Sequence, residues 1–337
     1  MRGGDLMLFL RSHGFSCYAA SVAPAGSAWD RACELYAQLT GTRVDYGEAH
    51  SRMYGHARFG RDFRDAPLIP DWNARTRLVL LGHSFGGATV RMFSELLVHG
   101  DAAEQAATPA ETRSPLFTGG MEDRLHSLVT LASPMNGTTA YDLFEDPAFD
   151  AGTVHVPWWS RALARMMSMG TRPKPQGRDA RDYAGYDMHV DRAMAFNGRM
   201  QPLSHVYYFS VPCSYTTRLK DGTYRSRRGM EPLFVMRACQ IGAYSGISRG
   251  GLVLNEVWRE NDGPVNTYSA RAPLDAPSVP LDCTHMKPGV WNVFPDYDGD
   301  HMALQGGLMH RHDIRAFYLE LCTMMLSYRI RYSPMKE

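Results

Sequence analysis

Within 337 residues there is no apolar run long enough to cross a bilayer. Charge of one sign is equally scarce: 36 Lys and Arg stand against 35 Asp and Glu, a formal net charge of +1. With no basic run either, nucleic acid is not an expected partner. Only six cysteines occur, Cys17, Cys33, Cys213, Cys239, Cys283 and Cys322, and no two form a C-x-x-C pair. That excludes a zinc knuckle and a dense disulfide framework. Buried thiols are the default, one or two disulfides stay open, and the compartment cannot be read from them. The opening Met1-Arg2-Gly3-Gly4-Asp5 lacks the form of a signal peptide, and no internal repeat is visible. What is present is a 44% hydrophobic chain with ample aromatics, enough for one large domain or a domain with a cap.

The most informative stretch is Leu78-Val79-Leu80-Leu81-Gly82-His83-Ser84-Phe85-Gly86-Gly87. An apolar run ends in Gly-x-Ser-x-Gly and a helix-periodic stretch follows, the strand–turn–helix context of a nucleophile elbow. So tight a turn asks for nearly bare residues around the serine, and Gly82 and Gly86 fit on steric grounds. The elbow would lift the Ser84 hydroxyl above the sheet edge. It would also leave the Phe85 N–H at a helix start, where it can stabilise an oxyanion. A Gly-rich strand-to-helix turn with an incidental serine shares the five-residue pattern, but not its flanks.

Along the chain, residues 5–13 read as a short helix and Phe15–Val22 as a buried strand. Ser27 caps a helix carrying Trp29, Cys33, Leu35, Tyr36 and Leu39. A polar, His- and Gly-rich excursion of little periodicity runs from 41 to 71. The elbow helix stops at Gly100, and 101–114 reads as an exposed loop or short helix. Leu128–Leu131 is the next core strand. An irregular insertion follows over 141–186, within which 158–167 reads as an amphipathic helix with Trp158, Trp159, Met166 and Met167. Val206–Val211, Leu252–Trp258 and the region of Val290–Phe294 read as further strands. A closing helix carries Ile314, Phe317, Leu321, Met324 and Tyr328. Strands alternating with helices make an α/β layered sheet, and the elbow narrows this to the α/β-hydrolase arrangement.

A serine hydroxyl needs a base to take its proton and an acid to orient that base. In this fold the chain order is Ser, acid, His. His301, in a loop after the last strand, is placed accordingly, with His285, His310 and His312 as competitors. Asp262, in Glu260-Asn261-Asp262-Gly263-Pro264-Val265-Asn266, is the candidate acid; Asp282 and Asp296 are the alternatives, and a plain Asp-Gly turn would look the same.

Longer stretches carry a resemblance. They include Trp29-Asp30-Arg31-Ala32-Cys33-Glu34, Val44-Asp45-Tyr46-Gly47-Glu48-Ala49-His50, Gly55-His56-Ala57-Arg58-Phe59-Gly60-Arg61 and His83-Ser84-Phe85-Gly86-Gly87 with Arg91-Met92. Ser114-Pro115-Leu116-Phe117, Gly137-Thr138-Thr139, Gly289-Val290-Trp291-Asn292 and Asp313-Ile314-Arg315-Ala316-Phe317-Tyr318-Leu319 extend it. In these the chain resembles the thermoalkalophilic bacterial lipases, a zinc-containing branch of the α/β hydrolases that includes polyester-degrading esterases. The likeness covers nearly the whole chain outside 141–186. It implies Ser84 as nucleophile, Asp262 as orienting acid and His301 as base. It also implies a structural Zn²⁺ held by Asp30, His50, His56 and Asp187, with Asp182 and Asp191 close by. Two histidines and two carboxylates can close a tetrahedral site with no open position.

The resemblance sets further expectations. Family members begin with a buried strand and a His-Gly-Phe-type loop supplying a second oxyanion N–H. This chain starts after that point, which suggests a truncated start of a longer enzyme and a gap in the sheet beside the elbow strand. The short acidic-poor loop Met302-Ala303-Leu304 makes Ca²⁺ unexpected. The 141–186 insertion reads as a small lid on a single domain spanning 1–337, with Trp158, Trp159, Met166 and Met167 as candidate lid or substrate-facing residues and a packed amphipathic helix as the equal alternative. The expected activity is serine carboxylic-ester hydrolysis of lipidic or aliphatic esters, polyesters included, at a lipid–water or polymer interface. No obligate protein partner is implied, and secretion is implied by the family alone. The rivals are a catalytically impaired zinc-stabilised scaffold binding apolar ligands, and a peptidase or acyltransferase on the same fold.

Overall fold

The computed structural model describes residues 5–161, 178–307 and 313–331. Chain order gives helix α1 (Leu6–Ser12), α2 (Ala28–Thr40), strand β1 (Arg43–Asp45), α3 (Glu48–Tyr54), β2 (Phe59–Asp62), β3 (Leu78–His83), α4 (Gly86–His99), α5 (Ala102–Ala107), β4 (Leu125–Leu131) and β5 (Tyr207–Val211). Strands Ser278–Pro280 and Trp291–Val293 and the closing helix Arg315–Arg331 follow.

Five strands form the central sheet in the order Ser278–Pro280, Trp291–Val293, β5, β4, β3, and every neighbouring pair is parallel. β4 and β5 are buried along their whole length, as apolar strands covered on both faces must be. On one face α4 and α2 pack over Leu78, Leu80 and Leu128, with Phe93, Leu96 and Leu97 fully buried between them. On the other face Val129, Leu131, Tyr207 and Phe209 meet Leu10 of α1 and Tyr318, Leu321 and Met325 of the closing helix. That second cover stops short of β3. Val79 and Leu81 are each 40% exposed, and among the described residues β4 is the only strand beside β3.

Several expected elements differ. Phe15–Val22 is neither paired nor buried; Tyr18 is 49% exposed. Side chains take up backbone groups where a strand ladder would have done so: Arg11 donates to the Cys17 carbonyl, Gln38 of α2 accepts the Ser21 N–H, and Glu34 accepts that of Ala23 just beyond the segment. Of Leu252–Trp258, only Val253–Leu254 pairs, antiparallel to Gly246–Ile247. The Asn255 side chain then accepts the Val257 N–H and turns the chain into a 3₁₀ turn at Glu256–Trp258. The aperiodic 41–71 excursion contains β1 and β2, paired antiparallel around α3, each too short to show a period. Residues 158–161 are helical, with Trp158 81% and Trp159 39% exposed. Met166, Met167, His310 and His312 lie outside the described residues.

Candidate active site and metal cluster

Ser84 follows β3 in the left-handed region, at φ +55°, a conformation that costs a non-glycine residue of order 1–3 kcal/mol and recurs at functional turns. The surrounding ladder holds it there. Its N–H donates to the Leu131 carbonyl of β4 at 2.9 Å, and its own carbonyl accepts the Gly87 N–H at 3.0 Å. A Cβ on Gly82 would lie 2.3 Å from the Gly86 oxygen, and one on Gly87 would lie 2.4 Å from Ser133 Oγ. Gly86 has open space around its Cβ position. The steric demand therefore falls on Gly82 and Gly87, not on Gly82 and Gly86. Phe85 caps α4, and its N–H has no backbone acceptor among the described residues.

Asp262 and His301 arrive on two later loops. Asp262 and Val265 close a tight turn, main chain to main chain at 3.0 Å, and Asp262 Oδ1 accepts the Val265 N–H at 2.9 Å. Gly263 belongs to this turn at φ +122°, where a Cβ would strike Phe234. The other oxygen, Oδ2, lies 2.8 Å from His301 Nδ1, and His301 Nε2 lies 2.8 Å from Ser84 Oγ. The His301 N–H also donates to the Asp262 carbonyl at 3.0 Å, locking the two loops together. Burial pushes the Asp262 carboxyl up, and the His301 imidazole opposes that shift. A hydroxyl, an imidazole and a buried carboxylate in series can move one proton off Ser84. The competing residues are engaged elsewhere: His285 pairs with Asp282 on the surface, and Asp296 holds Arg271.

A second cluster lies where α2, α3 and the chain before Ala184 meet. One donor atom each from Asp30, His50, His56 and Asp182 lies within 4.8 Å of all the others. His50 Nε2 is 3.3 Å from Asp30 and 3.2 Å from Asp182, and His56 Nε2 is 3.2 Å from Asp182. These are loose approaches. Asp30 Oδ1, Asp182 Oδ1 and both Nε2 atoms are buried without a well-formed hydrogen bond. The His56 Nδ1–H donates to the Ala57 carbonyl at 2.9 Å, which leaves the Nε2 lone pair free to ligate. Two nitrogen and two oxygen donors, buried and otherwise unsatisfied, fit a closed tetrahedral cation site. The Arg178 guanidinium pairs with both Asp30 and Asp182 at the edge of the cluster.

Asp187, the fourth ligand implied by the resemblance, is not in this cluster; Asp182 takes that place. Asp187 Oδ2 accepts the Ala28 N–H at 2.8 Å and so caps the start of α2, while Oδ1 faces Arg192. Burial lifts its carboxyl to about 6 against the pull of the Ala28 N–H and Arg192. Sequence reading also missed Glu104. Almost fully buried, it accepts the Ala49 and His50 N–H groups and closes the first turn of α3.

A parallel sheet with a serine elbow after β3, then an acid and a histidine on later loops in that order, is the α/β-hydrolase architecture. The family model for a lipase-like C-terminal domain matches residues 3–155. A lipase of Staphylococcus epidermidis is 31% identical over 331 residues, covering 90% of this chain and 46% of the relative. Among solved structures, lipase 1 of Pelosinus fermentans superposes with a TM-score of 0.74 at 30% identity, covering 95% of this chain and 90% of its own. The Staphylococcus hyicus lipase superposes at 0.80 with 27% identity, covering 98% and 90%. The chain belongs to this bacterial lipase family. It spans about half the length of the curated staphylococcal relatives it matches.

Proposed function

We propose that the chain is a serine carboxylic-ester hydrolase acting through an acyl-enzyme. The observation that carries this reading is the continuous relay from Ser84 Oγ through His301 to Asp262, each link 2.8 Å long. Ser84 Oγ attacks the ester carbonyl carbon while His301 Nε2 takes its proton. Asp262, fixed by Val265, orients the imidazole and balances the charge it gains. The Phe85 N–H, aided by the start of α4, stabilises the tetrahedral oxyanion. Collapse expels the alcohol, which leaves with the proton from His301. Water then repeats the sequence on the acyl-Ser84 and frees the acid.

Lipidic or aliphatic esters, polyesters among them, are the proposed substrates. The exposed Trp158 and Trp159 within the 141–186 insertion suit contact with an apolar surface, which gives that insertion the role of a small lid. The Asp30, His50, His56 and Asp182 cluster would hold a structural Zn²⁺ that supplies cross-linking of α2, α3 and the segment before Ala184. None of the four belongs to the Ser84–His301–Asp262 relay, so an ion held there would brace the fold and take no part in acyl transfer.

The test is hydrolysis of a short p-nitrophenyl ester with Ser84→Ala as control. Wild-type turnover that falls by about 10⁶-fold in Ser84→Ala, with covalent labelling by a serine-reactive phosphonate, is the expected result. Equal rates in both proteins, or no phosphonate adduct, would overturn the reading.

A further inference from the structure

His83 sits directly before the nucleophile, and its ring lies beside that of His301, with centroids 4.8 Å apart and planes tilted by 48°. Its Nε2 is 2.7 Å from the His301 main-chain oxygen. A carbonyl can only accept, so Nε2 carries the proton and Nδ1 presents its lone pair. Gln305 meets that lone pair with its amide nitrogen at 2.7 Å. The two bonds demand the same tautomer. Both partners belong to one short segment, His301 and the 3₁₀ turn Ala303–Gln305 behind it. A single imidazole on the elbow strand thus grips the histidine loop at two points four residues apart.

The relay gives this grip a purpose. His301 must stay within hydrogen-bond reach of Ser84 while it gains and loses a proton, and a misplacement of about 1 Å can cost ~10²-fold in rate. The Asp262 side of the loop is already tied through the His301 N–H. On the Ser84 side, the His83 ring ties the carbonyl of the same residue. Burial, reinforced by His301, holds the His83 imidazole far below its ordinary value, at about 3. The ring therefore stays uncharged beside an imidazole that must become a cation, where a second positive charge would oppose the reaction.

We propose that His83 is a positioning residue for acyl transfer, clamping the main chain of His301 against the elbow in a tautomer that Gln305 selects. The inference rests on the proposed role of His301. The experiment therefore begins with wild type and Ser84→Ala on a p-nitrophenyl ester. If those two do not differ, the proposed function fails, whatever His83 does.

With that established, His83→Phe keeps an aromatic ring and removes both hydrogen bonds. The expected result is a kcat about 10–100-fold lower with KM changed less than about twofold. His83→Gln carries an amide N–H near the Nε2 position and is expected to recover most of that loss. Gln305→Leu, an exposed replacement, is expected to lower kcat by several-fold at unchanged Tm, and it carries the test alone if His83→Phe does not fold. The downfield proton resonance of His301 Nδ1–H, strong in wild type, should broaden in His83→Phe and return in His83→Gln. Wild-type kcat in both His83→Phe and Gln305→Leu would overturn the proposal. So would a rate loss in His83→Phe that His83→Gln does not relieve.

Discussion

Glu104 accepts the main-chain N–H of His50 at 2.7 Å, although 54 residues separate the two in sequence. One carboxylate therefore sets both the first turn of α3 and the backbone of a candidate metal ligand. Replacing it leaves two partly buried N–H donors without partners, at a cost of about 1–3 kcal/mol. Glu104→Ala is expected to lower Tm and to weaken metal retention together, as followed by thermal melting and metal analysis of the purified protein. Unchanged metal content in a destabilised variant would uncouple the two.

Asp182 and Asp187 are expected to respond differently. Asp182→Ala removes a donor from the histidine cluster and should abolish stoichiometric Zn²⁺. Asp187→Ala should retain the metal while losing about 1 kcal/mol of stability, as for a missing helix cap. Chelation of wild type should lower Tm by an amount that grows with chelator strength, since a bound ion stabilises the folded state by mass action. Metal-to-protein ratios for the two variants, measured side by side, decide the assignment.

At the acid of the relay, Asp262→Asn should lower kcat by about 10⁴-fold with little change in KM. The amide that replaces Oδ2 can donate where His301 requires an acceptor, and the imidazole then presents the wrong tautomer to Ser84. A loss below tenfold would remove Asp262 from the orienting role.

Glycines of the elbow give a steric test. Gly86→Ala enters open space in the first turn of α4 and is expected to fold with wild-type or slightly higher Tm. Gly82→Ala and Gly87→Ala drive a methyl into the Gly86 carbonyl and Ser133, and both should depress Tm and activity. Similar melting for all three would contradict the packing described.

His189 offers a pH dependence. The nearby Asp142, at 3.7 Å, raises its basicity most; burial and Arg249 lower it, Glu145 adds to the rise, and the outcome is a shift upward. A histidine raised on folding contributes stability that is complete below its unfolded value of about 6.5 and is lost as pH climbs through the folded one. The His189→Gln variant should therefore be less stable than wild type at about pH 5.5 and equal to it by about pH 9. The difference is a few tenths to about 1 kcal/mol, because the site is partly solvated. Denaturant melts at the two pH values check both sign and size.

How legible each feature was in sequence depended on how far its causes lay along the chain. β3, α4 and Gly100 were readable because strand, elbow and helix stop are local chemistry. That Asp262 and His301 come together beside Ser84 was readable because the fold fixes the order of such residues after the serine. The choice between Asp182 and Asp187 was not, since both are acids flanking one short turn and only the packing of α2 decides which one reaches the histidines. Phe15–Val22 has the apolar content of a strand, yet Gln38 takes the N–H and carbonyl of Ser21 from a helix whose contact with the segment no local pattern reveals. The strand expected over Leu252–Trp258 shrinks to Val253–Leu254 because Asn255, which ends it, acts through one side-chain hydrogen bond.

The exposed flank of β3 carries one more implication. A strand whose outer rim has no partner among the described residues, bordered by Val79 and Leu81, is a template on which other polypeptide can add by main-chain pairing. Here the template ends at the nucleophile. The six residues of β3 therefore bear on self-association and on turnover at once, since polypeptide pairing along this rim would lie beside Ser84.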